Sequence, residues 1–296
     1  MRLRGFCLLV LALMVLPLLA PNAYADAILG SSLSTFAVLG ATTVTNTGST
    51  TLVNGNVGVD PGSAIVPGSI GFTFATTGTG TVVNGIANTA QTQLGVALGL
   101  LGGLLPSSTI SGGVLNGLTL AQGVYAVSAA PGNGGFNLST GGVLTLNAQG
   151  LTNPFWVFKM SSTLITGSGS VVQFINLPSA GFNPGVYWDV GSSATLGTSS
   201  SFQGNILALT SITLNTGAKI GCGSALAHTA AVTLDTNTIS TGCNGSLSVV
   251  TGGGGPVVLG PGGTPLPVPE PSSLLLLASG LLGLVGVART RLARAL

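Results

Sequence analysis

The chain has 296 residues, enough for one large domain or two small ones, and 4% of them are charged. Ordinary globular proteins carry about 25% charged residues. Such a low content argues against nucleic-acid binding, because Lys and Arg are needed to neutralise phosphates. The formal net charge of +2 is misleading, since between Asp26 and Val268 four Asp residues stand against two Lys residues. Val, Ile and Leu recur at strand spacing among the 48 glycines, which predicts a folded β-rich body.

Residues 1–25 have the pattern of a secretory signal peptide. Arg2 and Arg4 give a charged start, residues 7–20 are apolar, and positions 23–25 form a small-x-small cleavage site. An N-terminal membrane anchor is the alternative, and the shortness of the apolar run argues against it. We therefore expect export of a mature chain that begins near Asp26.

A five-residue unit recurs in the body of the chain, residues 26–250. Its clearest copies begin at Ala194, Ile212 and Val232, at nearly equal steps along the chain, and each has Thr at its second position. A fourth copy at residues 163–166 and a degraded fifth at 145–148 precede them. A period of roughly 20 residues in short β-rich segments is typical of a β-solenoid, whose coils stack to bury an apolar face that one coil cannot bury alone.

Residues 84–105 differ from the rest of the body because their apolar residues recur at steps of three and four. These residues are Ile86, Ala90, Leu94, Leu98, Leu101 and Leu105. The pattern predicts one amphipathic helix that ends before Pro106 and lies along a flank of the solenoid. Gly95 and Gly99 should weaken it by roughly 1 kcal/mol each.

Two cysteines, Cys222 and Cys243, remain after Cys7 leaves with the signal peptide. A pair of cysteines in an exported protein favours a disulfide. Their separation is close to one period of the repeat, so the bond should join adjacent coils. Free thiols and a metal site are less favoured alternatives, because the chain has a single His and no CxxC motif.

Catalytic residues are not indicated by the pattern of polar side chains. His228 aligns with Leu209 of the preceding coil and is interpreted as a wall residue, since no nucleophile elbow accompanies it for a triad with Asp235. Asp60, Asp189 and Asp235 lack the paired carboxylate that glycan-cleaving enzymes need. No phosphate loop or dinucleotide fingerprint occurs, so we expect neither catalysis nor a cofactor.

Four aromatic residues leave two interpretations open. Side chains of this kind can stack on sugars, but within strands they more often pack in a core or wall. They are Tyr125, Trp156, Tyr187 and Trp188.

Threonine is the polar residue that the repeat places outward. Strand alternation in residues 212–214 sends Ile and Leu inward and Thr outward. Since stacked rungs lie ~4.8 Å apart, Thr195, Thr213 and Thr233 should form a file of hydroxyl and methyl groups. Thr is also simply a good strand former, which is the plainer explanation. A strand face without the usual Lys and Glu favours a flat, neutral and ordered partner.

The C-terminal part begins with a Gly/Pro-rich linker, residues 251–267, which we expect to be extended and mobile. Residues 268–296 follow, with Pro269, Glu270 and Pro271 first, then an apolar run over 272–288 and a cluster of three Arg. A plain membrane tail is one interpretation. The order resembles a PEP-CTERM sorting signal. That resemblance implies transient anchoring by a transmembrane helix, cleavage by an exosortase-type protease, and release to the surface or extracellular matrix.

Seven segments of the body form a characteristic set. They are LGS (29–31), FAVL (36–39), TVTNTG (43–48), GVDPG (58–62), GVY (123–125), FWVFKMSSTL (155–164) and GNILALTSITLNTG (204–217). Together they resemble the large microbial ice-binding protein family over residues 28–245. The resemblance implies a right-handed, discontinuous β-solenoid of triangular cross-section, all-β apart from one long α-helix packed alongside. It also implies adsorption to an ice crystal surface, seen as thermal hysteresis or inhibition of recrystallisation, without catalysis or cofactor.

Some members of that family carry Thr-Ala/Gly-x-Thr/Asn steps, which residues 47–50 and 241–244 match. With the outward file, this gives the candidate ice-binding residues Thr45, Thr47, Thr50, Thr163, Thr195, Thr213 and Thr233. The alternative function is an extracellular matrix or adhesin-like structural solenoid that serves as a spacer or binds exopolysaccharide. A glycan-cleaving β-helix is disfavoured for want of clustered acids.

Overall fold

The three-dimensional structure is a computed structural model, and it describes residues 28–48, 51–67, 72–74, 85–129, 135–245, 249–252 and 255–258. The chain divides into two compact units. One spans residues 26–248 and contains a 3-10 turn (Leu33–Thr35), one α-helix and 23 of the described strands. The described residues of the other unit form a two-stranded hairpin.

The elements follow one another as short strands with one long helix. In chain order they are β1 (Phe36–Gly40), β2 (Thr43–Asn46), β3 (Thr51–Asn54), β4 (Asn56–Val59), β5 (Ala64–Pro67), β6 (Phe72–Phe74), α1 (Ala87–Gly103), β7 (Ser108–Gly112), β8 (Thr119–Leu120), β9 (Gly123–Ala129), β10 (Gly135–Leu138), β11 (Val143–Asn147), β12 (Phe155–Met160), β13 (Thr163–Thr166), β14 (Val171–Ile175), β15 (Gly185–Val190), β16 (Ala194–Leu196), β17 (Ser201–Gln203), β18 (Asn205–Ala208), β19 (Ile212–Leu214), β20 (Lys219–Cys222), β21 (Ala225–Ala227), β22 (Val232–Leu234), β23 (Thr238–Ser240), β24 (Val249–Gly252) and β25 (Gly255–Val258).

Three parallel sheets form the walls of a solenoid. Sheet A has the order β4-β1-β21-β18-β15-β12-β9-β7, sheet B the order β10-β13-β16-β19-β22-β2-β5, and sheet C the order β6-β3-β23-β20-β17-β14-β11-β8. Successive strands of the chain go to successive sheets, so each described coil contributes one strand to each wall, except that the coil of β7 and β8 adds none to sheet B. The predicted β-solenoid with three sides is confirmed.

The order of coils in the stack differs from their order in the sequence. β1, β2 and β3 pair with β21, β22 and β23, so the first coil of the chain stacks on the last regular one. The chain must therefore return from β6, at one end of the stack, to β7, at the other. Helix α1 lies between these strands, and its 17 residues span ~26 Å, about five rungs. The solenoid is discontinuous, as the resemblance implied.

Helix α1 confirms the predicted helix, although its buried stripe is turned relative to the prediction. Ile86 and Leu105 lie outside the helix and are 41% and 81% exposed, and Ala97 is buried where Leu98 was expected. The buried residues of the helix are Ala87, Ala90, Gln91, Leu94, Ala97 and Leu101. Small Ala side chains let the helix approach sheet A closely, which accounts for the rotation.

Amide side chains fasten the helix to the solenoid. Buried Gln91 donates from Nε2 to the carbonyl of Ala227 (3.0 Å). Gln93 accepts at Oε1 from the backbone N–H groups of Ser32 (3.1 Å) and Leu33 (2.8 Å). A buried amide left unpaired would destabilise the fold, so these bonds select one position of the helix on sheet A.

The core inside the three sheets is apolar and contains a column of aromatic rings. Tyr125, Phe158, Trp188 and Phe202 follow one another with ring centroids 5.7, 4.1 and 4.8 Å apart. Trp156, Tyr187 and Trp188 are fully buried, and Tyr125 is 8% exposed. The interpretation as core and wall residues is confirmed, and these rings do not offer a sugar-stacking surface.

The predicted disulfide joins Cys222 in β20 to Cys243, just after β23, with their Cα atoms 5.4 Å apart. β20 and β23 pair directly, so the bond links adjacent coils as expected. Replacing both residues (Cys222→Ser with Cys243→Ser) should lower the free energy of unfolding by about 3 kcal/mol, because the unfolded chain regains the entropy of a 21-residue loop. In urea unfolding, the variant and the reduced wild type should have the same midpoint, below that of the oxidised wild type. An unchanged midpoint in both would contradict this role.

A charged pair lies where α1 ends against sheet A. Lys159 donates from Nζ to the carbonyls of Gly102 (2.7 Å) and Leu104, and so neutralises the negative end of the helix. Asp189 is its partner on the next rung. Burial raises the pKa of Asp189 to about 6, and the charge of Lys159 opposes that rise.

This raised pKa predicts how stability depends on pH. Folded Asp189 binds its proton more tightly than the unfolded chain does, so its contribution to stability is present below about pH 4 and is lost as pH rises through 6. Asp189→Asn should remove that loss and raise the free energy of unfolding at pH 7 by about 2 kcal/mol. Melting temperatures at pH 4 to 7 test this. Parallel profiles for wild type and variant would contradict it.

The C-terminal segments are described in part. β24 and β25 pair as an antiparallel hairpin, an element that the prediction of a linker over 251–267 did not include. The predicted signal peptide (1–25) and sorting segment (268–296) lie outside the described residues. Within the described part of the chain, no helix is long and apolar enough to cross a membrane.

Candidate functional site

The outer face of sheet B is formed by strands whose burial alternates strictly. In β16, β19 and β22 the first and third residues are buried and the middle one is half-buried. The inward residues are aliphatic, for example Ile212 and Val232, both 0% exposed. Since side chains alternate along a strand, one set anchors the core and the other forms a continuous outer surface.

Four threonines stand in register across this face. Thr45 pairs with Thr233, Thr233 with Thr213, and Thr213 with Thr195. We call these residues the threonine file; its three steps of ~4.8 Å extend about 14 Å. Thr45 Oγ1 donates to Thr233 Oγ1 over 3.4 Å. β-Branched side chains have few rotamers, so the hydroxyl and methyl groups of the file are held in place before any partner arrives.

A second outward row runs beside the threonine file, two residues earlier in the chain at each rung. It carries hydroxyls at Thr43, Ser211, Ser193 and Thr163 and is interrupted by Ala231 before β22. Ser193 Oγ lies 2.9 Å from Ser211 Oγ and 2.8 Å from Thr210 Oγ1. These bonds tie neighbouring rungs together and make the face more rigid.

On the other side of the file, two residues later in the chain, the backbones of neighbouring coils approach each other closely. At Gly197 the backbone of the next coil is so close that a Cβ atom would lie 2.4 Å from the Gly167 carbonyl carbon. Asp235 stands at the rim, where it accepts hydrogen bonds from Thr216 Oγ1 and from Thr236 Oγ1 (3.1 Å). These hydrogen bonds hold the carboxylate of Asp235 at the rim of the face. The other described outward residues of sheet B are uncharged.

The other two walls do not offer a comparable surface. Sheet A is buried on both sides in β1, β4 and β18, and α1 packs against its outer face. Sheet C carries the exposed Lys219 and has a register shift between Phe202 and Gln203. Among the described walls, sheet B is therefore the flat and nearly uncharged one.

Thr45, Thr195, Thr213 and Thr233, all predicted candidates, are brought together in the file. Thr163 is not a member, because Leu164 pairs with Ala194 and Ile165 with Thr195. The predicted alignment of residues 163–166 with the later copies is wrong by two residues. Both Thr163 and Ile165 point outward, and the loop over 176–184 lengthens this coil, so spacing alone could not choose between them.

Of the remaining candidates, Thr50 lies outside the described residues. Thr47 is not a member of the file; it is exposed just beyond the end of β2 and donates from Oγ1 to the carbonyl of Leu234 (3.2 Å). The copy at 145–148 was assigned wrongly to the repeat, because β11 belongs to sheet C. The step at 241–244 follows β23, where Thr241 Oγ1 bonds the carbonyl of Asn54 (3.1 Å), so it does not contribute to sheet B.

Other residues of the face were not predicted from the sequence. They are Thr43, Asn137, Ile165, Ser193 and Ser211. Counting outward in steps of two from each repeat Thr would have found the serines.

No catalytic grouping emerges around His228. Its backbone N–H bonds the Ala208 carbonyl (2.9 Å), and its Nδ1 lies 3.4 Å from Gln91 Oε1 under helix α1. The predicted alignment with Leu209 is confirmed, because both residues follow the paired Ala208 and Ala227. Over the ranges that the structure describes, no three His, Cys, Asp or Glu residues could hold a metal ion.

Comparison with known proteins decides the family. The model of the family described as "Ice-binding-like" matches residues 38–240, which include all three strand walls and helix α1. The chain belongs to the ice-binding-like family. A second model, of the PEP-CTERM protein-sorting motif, matches residues 267–291 of this ice-binding-like chain.

Relatives of this ice-binding-like protein share most of its length. The ice-binding protein of Nostoc sp. (strain HG1) is 40% identical over 262 residues, which cover 87% of this chain and 85% of the relative. A solved ice-binding protein from an Antarctic biological consortium has a TM-score of 0.62 at 34% identity, and the match covers 75% of this chain and 94% of that protein. The solved ice-binding protein of the ascomycete Antarctomyces psychrotrophicus has a TM-score of 0.61 at 33% identity, and the match covers 71% of this chain and 96% of that protein.

Proposed function

We propose that this protein is exported and binds ice through the outer face of sheet B. The observation that carries the proposal is the threonine file, four residues in register on a flat face with a charge only at its described rim. Its relatives are named ice-binding proteins, and solved members of similar fold carry the same description. The alternative, a matrix or adhesin-like solenoid that binds exopolysaccharide, is not favoured, because the aromatic side chains it would use are buried.

The file acts on water rather than on a solute. Threonine methyl groups hold water in cage-like positions, and the hydroxyls beside them anchor that water by hydrogen bonds. The rung spacing of ~4.8 Å repeats these positions in a regular row. Because the side chains are already ordered by strand geometry and by bonds such as Ser193–Ser211, adsorption costs little conformational entropy. Many weak contacts then sum to firm attachment, without catalysis.

Export fits the two ends of the chain. The matched sorting motif at 267–291 supports processing by an exosortase-type protease and a final location outside the cell or at its surface. Residues 1–25 would serve as the signal peptide, 26–250 as the ice-binding body, 251–267 as the linker, and 268–296 as the sorting segment.

Growth of single ice crystals in the purified protein tests the function. We expect faceted crystals and a gap between melting and freezing temperatures that grows with concentration. An equal concentration of a non-binding globular protein serves as the control. Smooth disc growth at micromolar protein, indistinguishable from that control, would refute ice binding.

A further inference from the structure

We propose that Ile165 ends the ice-binding face on the side of β13, so that adsorption does not extend beyond Thr195 in that direction. The inference rests on the proposed function and goes further, because it names one end of the site and the residue that limits it. Sheet B has seven strands, and the file occupies β2, β22, β19 and β16. Ile165 is the next residue in the same row, on β13.

The register places Ile165 where a fifth threonine would stand. Ile165 pairs with Thr195, just as Thr195 pairs with Thr213. On both rungs the preceding residue is buried, Leu164 and Ala194 respectively, so Ile165 and Thr195 point to the same outer side. Ile165 is 45% exposed, and its side chain is therefore presented at the surface rather than packed in the core.

The backbone continues without interruption beyond this point. β13 pairs with β10 over four residues, in which Asn137 pairs with Ile165 and Leu138 with Thr166. Val114 extends the row by a bridge to Asn137, and it is 50% exposed. The platform thus extends past the file, and what changes is the side chain: four threonines are followed by Ile, Asn and Val.

Two properties of isoleucine explain why the face ends there. Isoleucine has a methylene group (Cγ1) where threonine has its hydroxyl, so the row loses its hydrogen-bonding group at that rung. Isoleucine also carries a δ-methyl beyond the γ atoms at which threonine stops, so it rises above the plane of the file. A flat crystal surface that touches this methyl is held away from Thr195, and close packing fails when a gap opens between surfaces.

Reciprocal substitutions test the limit. Ile165→Thr should extend the file to five rungs and raise ice-recrystallisation inhibition and thermal hysteresis by about twofold or more at equal concentration. Thr195→Ile moves the same side chain one rung inward and should lower both activities by a similar factor. Both positions point outward on a continuous sheet, and circular dichroism confirms that the variants remain folded.

Ile175→Thr is the matched control. Ile175 ends β14 in sheet C, and its side chain points outward because the preceding Phe174 packs on Trp156. The identical exchange there should leave activity unchanged. If the wild type shapes ice but Ile165→Thr gives no gain and Thr195→Ile no loss, the limit at Ile165 is overturned while ice binding stands. If Ile175→Thr raises activity as much as Ile165→Thr, the gain is not specific to sheet B and the inference also fails. A wild type without activity refutes both proposals.

Discussion

Thr213→Tyr is expected to abolish ice shaping and to reduce thermal hysteresis by at least tenfold. Thr213 lies in the interior of the file, paired with Thr233 on one side and Thr195 on the other. A tyrosine ring there projects well above the neighbouring threonines and separates the face from a flat partner on both sides. Loss of about 1.4 kcal/mol of adsorption free energy already corresponds to a factor of ten.

Thr238→Tyr is the control for that loss. Thr238 occupies the outward side of β23 in sheet C, in the same coil as Thr233, and pairs with Lys219. The substitution adds the same bulk to a different wall of the solenoid. Thermal hysteresis should stay near that of the wild type. Equal loss in the two variants would indicate a general effect of the added ring rather than a site on sheet B.

Trp188→Ala is expected to cause the largest loss of stability, about 4 kcal/mol in the free energy of unfolding. The indole is fully buried, 4.1 Å from the Phe158 ring and 4.8 Å from the Phe202 ring, and it donates from Nε1 to the Gln203 carbonyl (2.9 Å). Truncation leaves a cavity in the middle of the aromatic column and an unpaired carbonyl. Urea unfolding measures the loss.

Trp188→Phe separates the two contributions. It keeps an aromatic ring in the column but removes the donor to Gln203, so it should cost about 1–2 kcal/mol. Ice adsorption by the folded fraction should be unchanged in both variants, because Trp188 points into the core from sheet A. A Trp188→Ala protein as stable as the wild type would show that the column does not hold the coils together.

The repeat made the solenoid predictable because burial imposes it. Ile212, Leu214 and Val232 face inward, as equivalent residues of the other coils must. Their spacing could therefore be found in the sequence without any contact being known. Helix α1 was predictable from its apolar period for the same reason. The disulfide followed from two cysteines that are one coil apart.

Contacts between distant parts of the chain were harder to predict. Thr45 and Thr233 are 188 residues apart, and their pairing depends on the first coil stacking on the last regular one. No local pattern encodes that choice. The register of Ile165 was equally hidden, because the loop before β15 breaks the period and two outward residues of β13 compete for the row. Gln91 was missed as a buried residue because its partner, the Ala227 carbonyl, lies in another element.

Adsorption of fluorescently labelled protein to a growing single ice crystal tests the central claim most directly. Three variants place a tyrosine on the three sides of the molecule: Thr213→Tyr on sheet B, Thr238→Tyr on sheet C, and Val96→Tyr on the exposed side of helix α1, where Val96 is 59% exposed. We predict that the wild type, Thr238→Tyr and Val96→Tyr are incorporated into the ice and that Thr213→Tyr remains in the liquid. Incorporation of Thr213→Tyr at the level of the wild type would contradict the assignment of ice binding to sheet B.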